Sequence, residues 1–578
     1  MFYKFLVEIP KVKGKIIEKE KNGSVYINYE YDRIYVPEKR YSIPKRTTIG
    51  KKCEDRSGMM YPNPNYLKYF PDEDMPEEYM ERTDRSSCIR IGAYIVIRKI
   101  VQDYGLNKML HLSMDDEKSM RLAVDLAAYS IITENNAAQY YPDYAYNHAL
   151  FTERHRIYSD AAISGFLHHL RVDQSVEFLN RWNGTMSHKD RIYISYDSTN
   201  KNCQAGDVSF AEYGHAKEDD SKPIINISVA YDRSNSVPLF YEEYPGSIND
   251  ASQFRCMIDK ARGYGYRKCA FILDRGYFIP ANIRYMDENG YDFIIMVKGM
   301  KELVSGLVME HRNTFETDRR CSIAEYGAYG KTVETKVFAS DEKERYVHVY
   351  YSPTKSASER SSLEKSIERT RKVLKRCEGK VKELDKSYER YFELQYEKKG
   401  KKDQRFVCAI ERRGEIERML KLCGYFCIIT SQEMDAKDAL RIYKSRDESE
   451  KLFMADKTFL GGSSMRVHSE GSAEAKIFIE FIALIIRNRI YRLLKDEMIR
   501  SEMQANCMTV PAAIRELDKM EMIRQVGDVY KRDHALTKTQ KTILRAFGMD
   551  SNDVTRQEKM IAEELNPKVV IEKISGGI

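Results

Sequence analysis

At 578 residues the chain is long enough for roughly three or four domains, or for one large elaborated one. Apolar residues make up 42% and charged residues 32%, with 15 Pro and 30 Gly, which excludes a disordered, collagen-like or low-complexity protein. The formal charge of +7, from 95 basic and 88 acidic residues, singles out no partner by itself. The most apolar run, Ile477 to Ile486, contains Glu480 and is well short of the about 20 residues a membrane span needs. No membrane partner is expected. Lys4 and Glu8 interrupt the N-terminal MFYKFLVEIP where a signal peptide needs an unbroken apolar run, so secretion is not expected either. The 11 cysteines, without any CxxC pair, point to reduced thiols in a cytoplasm, and Cys423 and Cys427 read as core residues.

Residues 1–80 read as a basic, β-containing N-terminal module. Residues 1 to 52 hold 13 Lys or Arg against 6 Asp or Glu, and so carry the charge imbalance of the whole chain. The pairs Lys39-Arg40, Lys45-Arg46 and Lys51-Lys52 recur every six residues, interleaved with Tyr35 and Tyr41. Such a pattern suits a phosphate-tracking surface with stacking groups; a solvated basic face is the plainer alternative. Val25, Ile27, Tyr29 and Tyr31 alternate with polar residues beside Asn22-Gly23, which predicts a hairpin. Residues 81–189 read as a helical region, with helical spacing at Ile91, Tyr94 and Ile95, at Leu122, Leu126 and Tyr129, and from Ala161 to Trp182.

From Arg191 the pattern changes to period two. Strands are predicted at Arg191–Asp197, Ile224–Tyr231 and Val237–Tyr241, then a helix over Ala251–Arg262, a strand Cys269–Leu273, and a further helix and strand, Phe293–Val297. The order βββαβαβ over residues 190–300 predicts a mixed α/β sheet flanked by helices. Residues 301–422 interrupt it. There β-like Thr332–Tyr351 precedes a charged segment in which Leu363, Ile367, Thr370, Leu374, Cys377, Val381, Leu384, Tyr388 and Tyr391 form a heptad seam. An intermolecular coiled coil and one arm of a helical hairpin on its own domain both fit that seam. The sheet resumes with Tyr425–Thr430 in residues 423–500, helices run from Met434 through Leu494, and residues 501–578 read as helical.

Hard divalent cations prefer oxygen ligands, and two-metal phosphoryl transfer needs carboxylates that converge from several elements. Asp197 and Asp274 each close an apolar strand, where a rigid sheet can fix a carboxylate. Downstream stand Tyr443, Arg446, Glu450 and Lys457, spaced Y-x2-R-x3-E-x6-K. On a continuous helix these side chains fall within about a 60° arc, a face that suits a metal ligand beside a phosphodiester gripped by cations. A polar face bearing ion pairs is the alternative. His168-His169 reads as packing or surface, and Asp207, Asp219 and Asp220 as loop charges.

With Ile-Ser-Tyr-Asp197-Ser-Thr, Pro245-Gly-Ser-Ile-Asn-Asp, Leu-Asp274-Arg-Gly-Tyr-Phe and Tyr443 through Lys457, the chain resembles the DDE transposases of bacterial insertion sequences that carry a YREK motif, over roughly residues 190 to 500. The resemblance implies an RNase H-like core interrupted by an insertion, and Asp197, Asp274 and Glu450 as catalytic, metal-binding residues for two Mg²⁺ ions, with Mn²⁺ as a substitute. It implies that Tyr443, Arg446 and Lys457 contact the transposon end. It further implies double-stranded DNA partners, namely terminal inverted repeats and target, a homodimer formed at least on DNA, and a cytoplasmic, nucleoid-associated location. End recognition is expected in residues 1 to about 185, with Lys39, Arg40, Lys45, Arg46, Lys51 and Lys52 as DNA contacts. One departure stands out: the family's insertion is β-rich, and here a charged heptad segment fills much of it. The one tryptophan, Trp182, lies outside the insertion, so a flipped-base pocket there would use Tyr, Phe or Met. A metal-dependent nuclease without strand transfer and a non-catalytic DNA-binding protein are the rival readings.

Overall fold

The computed structural model describes residues 2–3, 5–21, 23–37, 40–71, 85–186, 191–297, 301–338, 341, 343–380, 384–399, 403–446, 464–502, 506–524 and 529–565, without the side chains of Asp197, Ala251, Lys301, Lys398, Lys399, Asp403 and Gln404. The N-terminal strands β1 (Val7–Glu8), β2 (Ile16–Lys21), β3 (Ser24–Val36), β4 (Tyr41–Lys52) and β5 (Met59–Pro62) form an antiparallel sheet in the order β1-β5-β4-β3-β2. Lys21 pairs with Ser24 across the β2–β3 turn, where Gly23 takes φ 73°. Phe5, Val7, Ile27, Ile49 and Met60 pack with Tyr66 of α1 (Pro64–Tyr69) into a small core of their own.

Next come β6 (Cys88–Arg90) and helices α2 (Gly92–Asp103), α3 (Leu106–Ser113), α4 (Glu117–Thr133), α5 (Tyr141–Asn147), α6 (Asp160–His169) and α7 (Val172–Gly184). They merge with the rest of the molecule. One apolar core runs from Ile95 and Val124 through Phe178 and Trp182 into the sheet that follows. Trp182 is buried, its indole N–H donating to Pro238 O at 2.8 Å, while His168 and His169 are exposed at the end of α6.

The main sheet uses β7 (Ile192–Cys203), β8 (Ile224–Asp232), β9 (Val237–Pro245), α8 (Asp250–Gly263), β10 (Cys269–Leu273), α9 (Pro280–Glu288) and β11 (Asp292–Met296), the predicted βββαβαβ order. After α10 (Lys301–His311), strands β12 (Ser322–Ile323), β13 (Ala328–Thr335) and β14 (Arg345–Tyr351) extend the same sheet rather than leaving it. Helix α11 (Pro353–Cys377), the hairpin β15 (Phe392–Lys399) and β16 (Asp403–Glu411), and α12 (Arg413–Leu422) lead to β17 (Tyr425–Thr430) and α13 (Ala436–Lys444). Among the described residues the sheet order is β12-β13-β14-β17-β11-β10-β7-β8-β9. The two-residue β18 (Ser464–Met465) adds to the end of β7 at Asn202 and Cys203.

The heptad seam is not one helix. Helix α11 stops at Cys377, Gly379 turns with φ 79°, and the chain folds back. Leu363, Ile367, Leu374 and Cys377 then pack with Leu384, Tyr388, Tyr391, Phe392 and Phe406 on the β15–β16 hairpin, in a core separate from the main one. The seam is thus spent inside its own domain, and the insertion carries strands as well as the long helix. Val381 lies outside the described residues.

Helix α14 (Glu470–Ser501) is buried from Ser472 to Asn488 apart from Glu474, which explains the apolar run at Ile477–Ile486. Its Glu480 is paired with the buried Lys201 of β7 and accepts from Asn136 Nδ2 at 2.8 Å. The acidic residue inside that run is therefore an internal tie between helix and sheet. Helix α15 (Val510–Leu517), β19 (Glu521–Ile523), β20 (Lys531–Arg532), α16 (Lys538–Ala546) and α17 (Ser551–Leu565) finish the chain, with β19 antiparallel to β6. The 11 cysteines are free, with Cys423 and Cys427 buried. Among the described residues no helix is long and apolar enough to cross a membrane.

Candidate active site

Strands β7 and β10 run parallel, with Ile272 paired to Ser195 and Leu273 to Tyr196. The next residue of each strand is an aspartate, so positions 197 and 274 stand side by side on backbones about 4.8 Å apart. Antiparallel β8 flanks β7 on the other side, with Val229 opposite Asp197. Two acidic positions distant in sequence are brought together by register alone.

The two faces of this sheet differ. Ile194, Tyr196, Phe271, Leu273, Phe293 and Ile295 point into the main core, where the Phe254 ring of α8 lies 6.2 Å from that of Tyr196 and 6.0 Å from that of Phe271. The alternate residues Ile272, Ile294 and Ile428 form a second layer with Ala436, Leu440 and Tyr443 of α13. Helix α13 starts with Asp435, whose side chain accepts from Asp438 N at 2.7 Å, and its Ala436 O accepts from Tyr350 Oη at 2.7 Å. It ends at Lys444. Arg446 lies in the following turn, its N–H donating to Tyr443 O at 3.1 Å and its Nη1 3.8 Å from Asp274 Oδ1. The arc expected on a continuous helix is therefore not what places Arg446. Tyr443, expected to touch DNA, is 5% exposed and packs beneath α13, with the Arg446 guanidinium 5.7 Å from its ring centroid. The Asp197 side chain, Glu450 and Lys457 lie outside the described residues.

Asp274 caps a short turn, Arg275–Tyr277, accepting from Arg275 N at 2.7 Å, and its side chain is 37% exposed. Tyr277 turns back into the core, where its ring lies 5.5 Å from that of Tyr196 and 5.6 Å from that of Phe254. The Asp-Arg-Gly-Tyr run thus bolts one acidic position to the residue preceding the other. A second bolt was not visible in the sequence. Ser198 Oγ donates to Asp250 Oδ2 at 2.5 Å, and Tyr244 Oη donates to Asp250 Oδ1 at 2.6 Å. Burial and the adjacent Asp250 push the Tyr244 phenol well up, so it stays a donor. Lys217 Nζ donates to Ser198 O at 2.6 Å from outside the sheet.

The Pro245–Asp250 stretch is positioned by close approach. Asn226 Nδ2 donates to the carbonyls of Pro245, Gly246 and Ile248 at 3.1, 3.3 and 3.0 Å. A Cβ on Gly246 would meet Glu212 O at 2.3 Å and Ile224 O at 2.4 Å, which restricts the position to glycine. Asn249 then caps α8 by accepting from Ser252 N at 2.9 Å.

Several of the N-terminal basic residues have acidic partners in the structure. Arg46 and Arg33 both bind Glu30, at 3.0 and 2.5 Å, and together hold its carboxyl below the usual range. Lys45 stands 3.8 Å from Asp32, and Lys52 2.8 Å from Glu18. These cations are largely spent on carboxylates of neighbouring strands. Arg40 sits at the hairpin turn with φ 52°, Lys51 has no carboxylate within 4.0 Å among the described residues, and Lys39 lies outside them. Asp219 is a loop charge, paired with Lys222 at 2.8 Å and held down to about 2 by the hydrogen bond from that lysine.

Two aspartate positions on adjacent strands, with an arginine beside Asp274, are a geometry that phosphoryl transfer can use. Residues 189–486, just over half of the chain, match the transposase DDE domain, and the chain belongs to that family. It is a DNA-cutting and DNA-joining enzyme by class, of a kind that generally depends on divalent metal. Among solved structures it is similar to piggyBac transposase, in a synaptic complex with hairpin DNA, at 7% identity and a TM-score of 0.30, over 82% of this chain and 86% of that one. No curated protein matches.

Proposed function

We propose that the chain is the transposase of an insertion sequence of the YREK group, which binds terminal inverted repeats and carries out strand cleavage and strand transfer at Asp197, Asp274 and Glu450. The observation that carries this reading is the parallel β7–β10 register, which makes positions 197 and 274 neighbours. The order β9-β8-β7-β10-β11, with β8 antiparallel and β10 and β11 parallel to the central β7 direction, supports an RNase H-like core.

The residues present suit a hard cation: Asp274 offers carboxylate oxygens to solvent from a rigid strand end, as an oxygen-preferring metal requires. Two Mg²⁺ ions held by Asp197, Asp274 and Glu450, or Mn²⁺ in their place, would supply Lewis-acid activation of the attacking oxygen and stabilise the leaving 3′-oxygen. Arg446 supplies a fixed cation for the phosphodiester beside Asp274, and Lys457 would extend that grip. Tyr443 is a positioning residue under Arg446. Asp250, through Ser198, holds the backbone that follows Asp197. Water attacks phosphorus in line and the 3′-oxygen leaves with the bond to phosphorus broken; the freed 3′-hydroxyl then attacks a second strand in the same manner. Two ends require two active sites, which favours a homodimer assembled on DNA.

The test is cleavage of a labelled duplex carrying the inverted repeat that flanks the gene, with Mg²⁺ or EDTA, by wild type, Asp197→Ala and Glu450→Gln. Metal-dependent cutting at the element's end is expected, lost in both variants while DNA binding stays within about threefold of wild type. Normal cutting by Glu450→Gln would overturn the triad. Wild-type binding without cutting, even with paired ends, would favour a retained DNA-binding protein. Cutting without joining of a pre-cut end to a target duplex would leave the nuclease reading.

A further inference from the structure

Three cations converge on one cavity of about 300 Å³ in the helical wall, away from the N-terminal pairs that drew attention in the sequence. They are Lys118, in the first turn of α4, and Arg154 and Arg156, between α5 and α6; Thr152, Glu153 and Tyr158 complete the lining. Lys118 Nζ and Arg156 Cζ both lie over the Tyr158 ring, 5.7 and 5.1 Å from its centroid. Among the described residues none of the three cations has a carboxylate within 4.0 Å, whereas nearby Arg121 is paired with Glu117 and Arg171 with Asp115. Glu153 is the one acid in the lining.

The backbone that carries two of these cations is held in an unfavourable shape. Arg154 (φ 52°, ψ 29°) and His155 (φ 53°) are consecutive non-glycine residues in the left-handed region. The turn is over-determined from inside. His155 is 1% exposed; its carbonyl accepts from Arg85 Nη1 at 2.8 Å, its Nδ1 accepts from Leu150 N at 2.8 Å, and Thr152 Oγ1 donates to Arg156 O at 2.8 Å. An accepting Nδ1 requires a neutral ring, and burial pushes the imidazole down to about 3. A buried anchor therefore fixes a strained, exposed Arg-x-Arg segment at the cavity, and strain of this kind collects at ligand clamps.

We propose that this cavity binds a phosphodiester of duplex DNA, gripping the backbone on the helical wall of the catalytic body. The proposal rests on the transposase reading above and names a contact for it. Unpaired guanidinium and ammonium groups around a polar cavity suit phosphate oxygens, and such contacts position DNA without reading its sequence. The contribution should therefore appear equally on any duplex and fade with salt.

Fluorescence anisotropy of the full-length protein with a labelled duplex across a salt series tests it. The triple variant Lys118→Gln, Arg154→Gln, Arg156→Gln is expected to bind about tenfold more weakly, with a log K against log salt slope shallower by about 1, the change expected when the protein neutralises one phosphate fewer. Arg154→Lys with Arg156→Lys keeps the charge and should keep the slope. Arg154→Gln alone, at an exposed side chain, guards against a folding defect and should weaken binding at least about twofold. Unchanged affinity and slope in the triple variant, with wild type binding normally, overturns the cavity assignment and leaves the transposase reading intact. A wild type that binds no duplex at all sinks both. If inorganic phosphate raises the melting temperature of wild type but not of the triple variant, and DNA binding is the same for both, the cavity takes a free anion and the proposal falls.

Discussion

Acidification is expected to loosen the seat of α13 through one histidine. His348 on β14 is fully buried; its Nε2 lies 3.0 Å from Thr430 Oγ1 and its Nδ1 2.9 Å from Thr332 Oγ1. Thr430 spends its own hydroxyl proton on Gln432 O, 2.7 Å away, so Nε2 carries the ring proton and Nδ1 accepts from Thr332. The chain Thr332, His348, Thr430, Gln432 thus ties β13, β14 and β17 together just ahead of α13. Burial lowers the imidazole to about 4 from its ordinary 6.5. Between these values only the unfolded chain takes up the proton, so stability is intact above about 6.5 and is lost as pH falls towards 4. Linkage puts the loss near 2.5 kcal/mol by about pH 4.5. His348→Gln keeps a donor and an acceptor but cannot titrate. Urea unfolding of both proteins from about pH 7 to 4.5 should show profiles that diverge by about that amount, wild type falling more steeply. Parallel profiles would refute the buried neutral histidine. The difference between the two proteins isolates His348 from His155, which pulls the same way, and from Asp125, which burial raises to about 6 and which pulls the opposite way.

Two further expectations concern packing. Gly246→Ala should destabilise the protein by about 1–3 kcal/mol in urea unfolding and slow DNA cleavage, because its Cβ would press on two backbone carbonyls that cannot yield and would displace Asp250. An unchanged midpoint and rate would show that the loop is not held as tightly as described. Leu374→Ala, at the buried seam of α11, should cost about 2–5 kcal/mol in the unfolding of the insertion without altering the mass measured by light scattering. A halved mass would mean that the seam joins two copies after all.

Much of the sheet was legible because its strands are apolar runs, a pattern local to each run. The βββαβαβ order and the Tyr425–Thr430 strand follow from that. Asp197, expected to close its strand, lies midway along β7, which continues to Cys203 because its residues 198–202 pair with β8. What stayed hidden depends on partners distant in sequence. Lys45, Arg46 and Lys52 look like free cations until strand pairing sets Asp32, Glu30 and Glu18 beside them. Ser198 and Asp250 stand in two of the runs that carry the resemblance, but their pairing is not written there, and only the register of β8 and β9 brings Asp250 to the residue after Asp197. The heptad left two packings open for a different reason: a period of three and four is equally satisfied by a coiled coil and by a helix that packs within its own domain, and the stop after Cys377 comes with the turn at Gly379. Left-handed Arg154 and His155 leave little sequence signal, since neither is the glycine that usually marks that conformation.

The short pairing of β18 with the end of β7 has a topological consequence. The chain leaves the described part of the site at Arg446, beside Asp274, and re-enters it at Ser464, paired to Asn202 on the strand that carries Asp197. Both ends of the intervening sequence, which holds Glu450 and Lys457, are moored to the strands of the two aspartates. Arg446 and Ser464 are thereby two fixed points, and the entropic cost of holding two such points grows only slowly with the number of residues between them. A change in that number is therefore expected to cost little, with positions 446 and 464 keeping their places beside Asp274 and Asn202.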